Sequence, residues 1–272
     1  MEKIVVSGSF DNILSKDVRF LEEASKFGLV HVYLWSDQAV KVITGAKPKL
    51  PFEEREYFLE AVRFVDKVQP MDPVPNLDEI PKVAGFQPRM WVVTKAQDSP
   101  QKRAYCQFNE IVYTVIEEDN LKGFPIQSID DAGSFSKKKV LVTGCYDWLH
   151  SGHVRFFEET SELGDLYVVV GHDENVRLLK GEGHPMFPED ERRYMVASIR
   201  FVKQALISTG SGWMDAEPEI DTIRPDIYAV NEDGDKPEKR EFCKEHDLEF
   251  VVLKRKPAAG LIKRSSTTLR GF

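Results

Sequence analysis

The sequence predicts an α/β protein made of two tandem doubly wound parallel sheets, and three observations lead there. Apolar β-branched runs alternate with helical stretches in both halves, the order that a parallel sheet with helical crossovers produces. The first half can be laid on the second: Val6 to Ser25 against Val142 to Ser161 gives 10 identities in 20 positions at a shift of 136. With 272 residues, 42% hydrophobic and 30% charged, the chain can bury two cores of ordinary domain size.

The elements of the second half follow in order. Lys139 to Thr143 contains Val140-Leu141-Val142, an apolar run that suits a buried parallel strand. A helix from His153 to Leu163 comes next, then a strand over Leu166 to Gly171 and a helix over Asp173 to Lys180. Pro188 to Ile199 is the third helix. Strands at Gln204 to Ser208, Ile227 to Val230 and Phe250 to Leu253 complete the sheet, with a helix over Lys236 to His246 before the last. Right-handed crossovers place ligands at the carboxyl ends of such strands, where His150, Gly171, Asn231 and Arg255 fall. Asp131 to Lys137, small and polar, is the expected linker, giving domains at 1–134 and 137–272.

The repeat continues one residue further shifted. Pro51 to Tyr57 meets Pro188 to Tyr194, Arg63-Phe64-Val65 meets Arg200-Phe201-Val202, and Pro100, Lys102 and Cys106 fall opposite Pro237, Lys239 and Cys243. The polar positions at the strand ends do not repeat. Leu14, Ser15, Lys16 and Asp17 stand where the second half has His150, Ser151, Gly152 and His153; Thr44 replaces Lys180, and Gln127 to Asp131 replace Arg264 to Thr268. Asp17 would repel a polyphosphate. The first domain is therefore expected to be degenerate and non-catalytic, an intrachain pseudo-dimer partner for the second, with a regulatory pocket as the alternative.

His150-Ser151-Gly152-His153 is the strongest chemical feature. It follows a strand and its turn and opens a helix, where free backbone N–H groups and the positive end of the dipole favour an anion. Residues three apart share a helix face, so both imidazoles can reach one polyphosphate, and Gly152 removes a side chain from its path.

Gly144-Cys145-Tyr146-Asp147-Trp148-Leu149-His150-Ser151-Gly152-His153 resembles the Gly-x-Phe-Asp-x-x-His-x-Gly-His signature of the cytidylyltransferase-like nucleotidyltransferases. Lys180-Gly181 is similar to the family's phosphate-binding lysine, Glu189 to Tyr194 to its Glu-Glu-Arg-Tyr helix start, and Arg264-Ser265-Ser266-Thr267-Thr268-Leu269-Arg270 to its Ile-Ser-Ser-Thr-x-Ile-Arg element. The resemblance implies two Rossmann-like nucleotidyltransferase domains and a reaction in which a substrate anion attacks the α-phosphate of a nucleoside triphosphate. Positioning and electrostatics suffice for that chemistry, without a side-chain nucleophile. The implied catalytic residues are His150, His153 and Lys180. The implied nucleotide-binding residues are Gly144, Cys145, Tyr146, Asp147, Gly152, Arg192, Asn231, Ser266, Thr267 and Arg270.

Several positions carry a plainer alternative. Arg55 matches Arg192 in the half without histidines, which allows Arg192 a structural salt bridge; Asp147 could cap its own loop. His172 could line the nucleotide pocket, and Trp148 or Trp213 the acceptor pocket, or either tryptophan could be core. Magnesium is expected to arrive with the triphosphate, held by phosphate oxygens and water. Cys106, Cys145 and Cys243 lack the close spacing of a structural zinc site, so no metal ligand is assigned.

The expected function is CMP transfer from CTP to a small phosphorylated alcohol, amino alcohol or sugar, with release of pyrophosphate. An ATP-dependent adenylyltransferase of the same superfamily and a non-catalytic nucleotide-binding regulator are the alternatives. The Val230 to Glu238 stretch departs from the shorter Gly-Asp-Asp type of segment in related cytidylyltransferases, which leaves the base preference open. The tandem arrangement is similar to that of the ethanolamine-phosphate cytidylyltransferases, but there the first copy is the active one. A net charge of -8 argues against nucleic-acid or anionic-membrane partners. Unpaired cysteines, with no signal peptide before Val5, point to a cytoplasmic setting, and further pairing of two chains is left open.

Overall fold

Strands form where the β-branched runs predict them. A computed structural model describes residues 2–72, 76–81, 86–126 and 137–269, the side chains of Thr267 and Thr268 excepted. The chain divides into two units, Met1–Gly123 and Phe124–Gly271. In the first, β1 (Lys3–Gly8), β2 (Leu29–Trp35), β3 (Lys67–Met71), β4 (Met90–Thr94) and β5 (Val112–Ile116) form a parallel sheet in the order β3-β2-β1-β4-β5. Its helices are α1 (Ser15–Ser25), α2 (Asp37–Thr44), α3 (Phe52–Ala61) and α4 (Pro100–Phe108).

The second unit repeats the plan. β6 (Lys139–Gly144), β7 (Asp165–Val170), β8 (Val202–Ile207), β9 (Ile227–Asn231) and β10 (Glu249–Leu253) pair in parallel in the order β10-β9-β6-β7-β8. This is the first unit's order read from the other edge. Around the sheet lie α5 (Ser151–Ser161), α6 (Asp173–Lys180), α7 (Glu189–Ala197), α8 (Glu217–Ile223), α9 (Pro237–Glu245) and the single turn α10 (Ser266–Leu269). Val140, Leu141 and Val142 are fully buried, each worth about 1.5–3 kcal/mol of transfer free energy.

The expected boundaries of the second half agree with these to within two residues. One element was not expected. α8 is seven residues long and offers only Ile220 and Ile223 as an apolar stripe, too short a period to read from the sequence. Residues 131–136 of the expected linker lie outside the described residues. Phe124 already belongs to the second unit: its carbonyl accepts from Arg193 Nη2 at 2.9 Å and its ring lies 5.8 Å from that of Tyr194. Among the described residues no helix is long and apolar enough to cross a membrane.

The ladder between β6 and β9 is short, only Val140 to Ile227 and Leu141 to Tyr228, whereas β6 pairs with β7 over six residues. Past that point β6 and β9 diverge, and a crevice opens at the carboxyl ends where the strand order reverses.

Candidate active site

A cleft of about 250 Å³ occupies that crevice. Gly144, Cys145, Tyr146, Asp147, His150, Gly152 and His153 line one side; Lys180, Asn231, Lys239, Arg255 and Ser266 line the rest. Thr143, which also lines the cleft, shares a hydroxyl–hydroxyl hydrogen bond of 2.8 Å with the buried Tyr228.

The turn from β6 to α5 is shaped by two glycines and one left-handed residue. Tyr146 has φ 51°, which folds its ring back over Gly144; a Cβ on Gly144 would lie 2.7 Å from Tyr146 Cζ. A Cβ on Gly152 would lie 2.9 Å from His150 Cε1. Both contacts are closer than real Cβ atoms come, so the Tyr146 and His150 rings keep these places only beside glycine.

His150 caps α5, with Nδ1 accepting from Gly152 N at 3.1 Å. That bond fixes the neutral tautomer, because an Nδ1 that accepts carries no proton and the proton sits on Nε2. The His153 ring stacks on it, centroids 3.9 Å apart, and is backed edge-on by Tyr146 at 5.3 Å. His150 Nε2 and His153 Nδ1 are buried and have no hydrogen-bond partner among the described residues. Burial, with the Arg255 and Arg264 guanidiniums, lowers the His150 pKa to about 4. Burial, then His150, Arg255 and Lys180, holds His153 well below the imidazole range. Two neutral imidazoles with unmet hydrogen-bonding capacity are thus presented at a helix N-terminus, an arrangement suited to phosphate oxygens.

Cations surround the pair. Lys180 ends α6 just before Gly181, whose φ of 84° stops the helix, and its ammonium acts on Cys145. Burial pushes the Cys145 thiol up against the opposing pull of Lys180 and Arg192. Arg255 donates to Asp233 Oδ2 at 2.6 Å and reaches the Arg264 carbonyl at 3.4 Å. Ser266, at the start of α10, donates to the Trp148 carbonyl at 3.2 Å.

Arg192 does not join them. It is buried outside the cleft lining, with Nε on the Phe187 carbonyl at 2.9 Å, Nη1 on the Cys145 carbonyl at 2.7 Å and Nη2 on Asp173 Oδ1 at 2.7 Å. Arg55 makes the corresponding set, to Leu50, Ser9 and Asp37, in the unit without histidines. The expectation that Arg192 holds a triphosphate gives way to an architectural role, because its donors are already engaged. Asp147 lines the cleft, but Oδ1 accepts from Met186 N at 2.6 Å and Phe187 N at 3.2 Å, so it clasps the loop before α7. Asp11 clasps Lys49 N and Leu50 N in the same way.

His172 caps α6 and bonds the Gly210 carbonyl through Nε2 at 2.8 Å, away from the cleft lining. Trp148 packs on Phe187, ring centroids 5.4 Å apart, and Trp213 is half exposed beside Phe242. Arg270 and the Thr267 side chain lie outside the described residues. Sequence reasoning assigned no role to Lys239, visible only as a repeat match, or to Arg255, visible only as a residue past the last strand.

The chain has relatives. A family model described as Cytidylyltransferase-like matches residues 141–271. The FAD synthase of Thermococcus kodakarensis is 41% identical over 98 residues, 36% of this chain and 64% of that protein, so less than two thirds of its length is spanned. The FAD synthase of Aciduliprofundum boonei is 36% identical over 121 residues, 43% of this chain and 78% of that protein. The Bifunctional protein HldE of Campylobacter concisus is 36% identical over 132 residues, 47% of this chain and 27% of that protein. With the crevice at the β6–β9 switch point and the histidine pair of this chain, these matches give one answer: the chain belongs to the cytidylyltransferase-like family of nucleotidyltransferases.

Proposed function

We propose that the second unit transfers a nucleotidyl group from a nucleoside triphosphate to a small phosphate-bearing acceptor. An acceptor phosphate oxygen forms a bond to the α-phosphorus, the bond to the oxygen bridging to the β-phosphate breaks, and pyrophosphate leaves with the negative charge. The observation that carries this reading is the stacked pair His150 and His153 at the start of α5, neutral and buried, each with one ring nitrogen that has no partner among the described residues. Their ring nitrogens bind the α- and β-phosphate oxygens, and the Lys180 ammonium neutralises charge at the reacting phosphate. Arg255 and Ser266 hold the triphosphate tail, in a crevice where such preorganised groups act strongly. Asn231, at the end of β9, faces the nucleoside. Magnesium suits this site as an ion carried by the triphosphate: Asp147 is engaged by backbone amides and Asp233 by Arg255, so phosphate oxygens and water would hold it.

For the donor, two of the relatives are FAD synthases, and FAD is an adenylyl group joined to flavin mononucleotide. This supports ATP, with a flavin mononucleotide-like acceptor, ahead of CTP. CTP with a phosphorylated alcohol, amino alcohol or sugar is the second reading, supported by the Gly144 to His153 signature. The first unit is non-catalytic in this proposal: Asp17 Oδ2 accepts from Leu14 N at 2.9 Å, so its own carboxylate occupies the helix start.

The test is pyrophosphate release by the purified chain with magnesium, ATP and CTP being offered separately against flavin mononucleotide and a panel of phosphorylated alcohols, amines and sugars. Turnover with one pair that disappears in His153→Ala is the expected result. Turnover that survives in His153→Ala would remove the site assignment.

A further inference from the structure

The two units differ in which charges are neutralised. Lys102 Nζ lies 3.0 Å from Asp78 Oδ1 in the first. In the second, the ammonium of its counterpart Lys239 makes no hydrogen bond or ion pair with the described residues, and Asp215 Oδ2 accepts from Ser208 Oγ at 2.6 Å. The contrast is larger just past the last strand. A shift of 137 lays β5 on β10 and sets Glu117-Glu118-Asp119 against Lys254-Arg255-Lys256, three acids against three bases. In the first unit lysines meet the acids: Lys95 Nζ lies 3.4 Å from Glu117, Lys16 Nζ 2.7 Å from Glu118 and Lys122 Nζ 2.6 Å from Asp119. Lys16 stands in the place of Gly152. The first unit therefore closes this corner with an ion pair of its own.

In the second unit the same corner is open. A narrow groove adjoins the cleft there and shares Gly152, Phe156, Asn231 and Arg255 with it. Its other walls carry Lys254, Lys256, Lys263 and Arg264. The one carboxylate among its lining residues, Glu159, accepts from Arg155 Nη2 at 2.7 Å, and Arg255 is met by Asp233 at 2.6 Å. The ammoniums of Lys254, Lys256 and Lys263 make no hydrogen bond or ion pair with the described residues. Like charges gathered along one groove repel one another and focus a positive potential, and a bound anion relieves both.

Chemistry and place define that anion. Lysine ammoniums and a guanidinium suit phosphate oxygens. Gly152 and Arg255 line both cavities, so a phosphate in the groove lies against the first turn of α5, beside the histidine pair. The whole chain carries a net charge of -8, so the positive potential is local and fits one small anion better than a nucleic acid or a membrane. We propose that the groove is a further phosphate subsite, in which Lys254, Lys256 and Lys263 bind a phosphate group beyond those held by His150 and His153. That group is the terminal phosphate of the donor or belongs to a second small molecule bound beside it. The proposal rests on the nucleotidyltransferase reading of the adjoining cleft.

Calorimetry on the full chain tests it, with Lys254→Gln, Lys256→Gln and Lys263→Gln combined in one variant. All three side chains are exposed, so the unfolding midpoint should stay near wild type. If the donor supplies the phosphate, the Kd for magnesium ATP or magnesium CTP should rise about 10- to 100-fold, the loss expected for charge-assisted hydrogen bonds, while the matching diphosphate binds as to wild type. If a second molecule supplies it, inorganic phosphate titrated into nucleotide-loaded protein should bind wild type and not the variant. Either result supports the subsite, and Lys254→Arg, Lys256→Arg and Lys263→Arg combined should restore it. The proposal is overturned if phosphate binding does not differ and triphosphate affinity is unchanged or falls no more than that of the diphosphate. Failure of the underlying reading is distinct: wild-type protein then releases no pyrophosphate with any acceptor, and His153→Ala binds nucleotide as wild type does. The groove is in that case read by inorganic phosphate on nucleotide-free protein.

Discussion

At one point of a repeated fold, α5 begins with two stacked imidazoles while α1 begins with a carboxylate folded onto its own backbone. The surroundings of that point are the same in both units. Phe10 and Tyr146 both take positive φ, Asp11 and Asp147 both clasp the loop before the third helix, and Arg55 and Arg192 both tie that helix to the first turn. The loop scaffold and the anion site are thus separable layers. A copy can lose its imidazoles and keep the buried guanidinium, because the guanidinium satisfies backbone carbonyls that would be orphaned in either copy.

The largest expected effect tests the shared layer. Arg192→Ala and Arg55→Ala should each cost their unit about 2–6 kcal/mol, because each removal orphans two backbone carbonyls at about 1–3 kcal/mol apiece. Denaturant unfolding followed by hydrogen exchange on β6 and β1 would measure it. An Arg192→Ala protein of unchanged stability and weakened nucleotide binding would put Arg192 back in the site and break the comparison.

Next comes the layer that differs. His153→Ala should lower kcat about 10²- to 10³-fold, in the range of removing one preorganised transition-state donor, with little change in the unfolding midpoint. Asp17→Ala, its counterpart in the first unit, should leave turnover unaltered. Equal losses in the two variants would mean that both helix starts take part in the reaction.

The smallest effect is in pH dependence, and its sign differs between the two helix starts. His150 is lowered from 6.5 to about 4 by burial, so between those values the unfolded chain binds a proton that the folded chain refuses. Its contribution is complete above 6.5 and is lost as pH falls towards 4. Burial raises Asp17, so there the folded chain keeps the proton longer, and stability falls as pH rises through the folded value. His150→Asn should therefore reduce the acid sensitivity of the second unit, and Asp17→Asn should stabilise the first at neutral pH. His31, also lowered by burial, adds an acid-side loss to the first unit, so each comparison is made between variant and wild type. Hydrogen exchange at pH 5 and 7 would read both; variants that leave the two pH profiles unmoved would remove these groups as the source.

Much of the fold was legible because its signals are local. In the second half apolar runs alternating with helices leave little choice but a parallel sheet, the repeat carries that plan to the first half, and the histidine pair could be placed at a helix start from its position after a strand and turn. What Arg192 and Lys239 pair with was not legible in the same way. An arginine after an acidic helix start is the same sequence signal whether its guanidinium meets a phosphate or two backbone carbonyls and an aspartate. Lys102 and Lys239 read alike in sequence although one is paired and the other is not.

By itself, then, the sequence determined the repeat, the strand order's class and the place of the anion site, all of which depend on periodicity and on what a helix N-terminus offers. Only the tertiary structure decided which charges are free to act. Partners 5 to 47 residues away for Arg192, and the Ser208 hydroxyl on Asp215 Oδ2 where the first unit has a lysine on Asp78, are set by how the loops pack against one another. A side chain's charge is written in the sequence, but whether that charge is already satisfied depends on contacts made after folding.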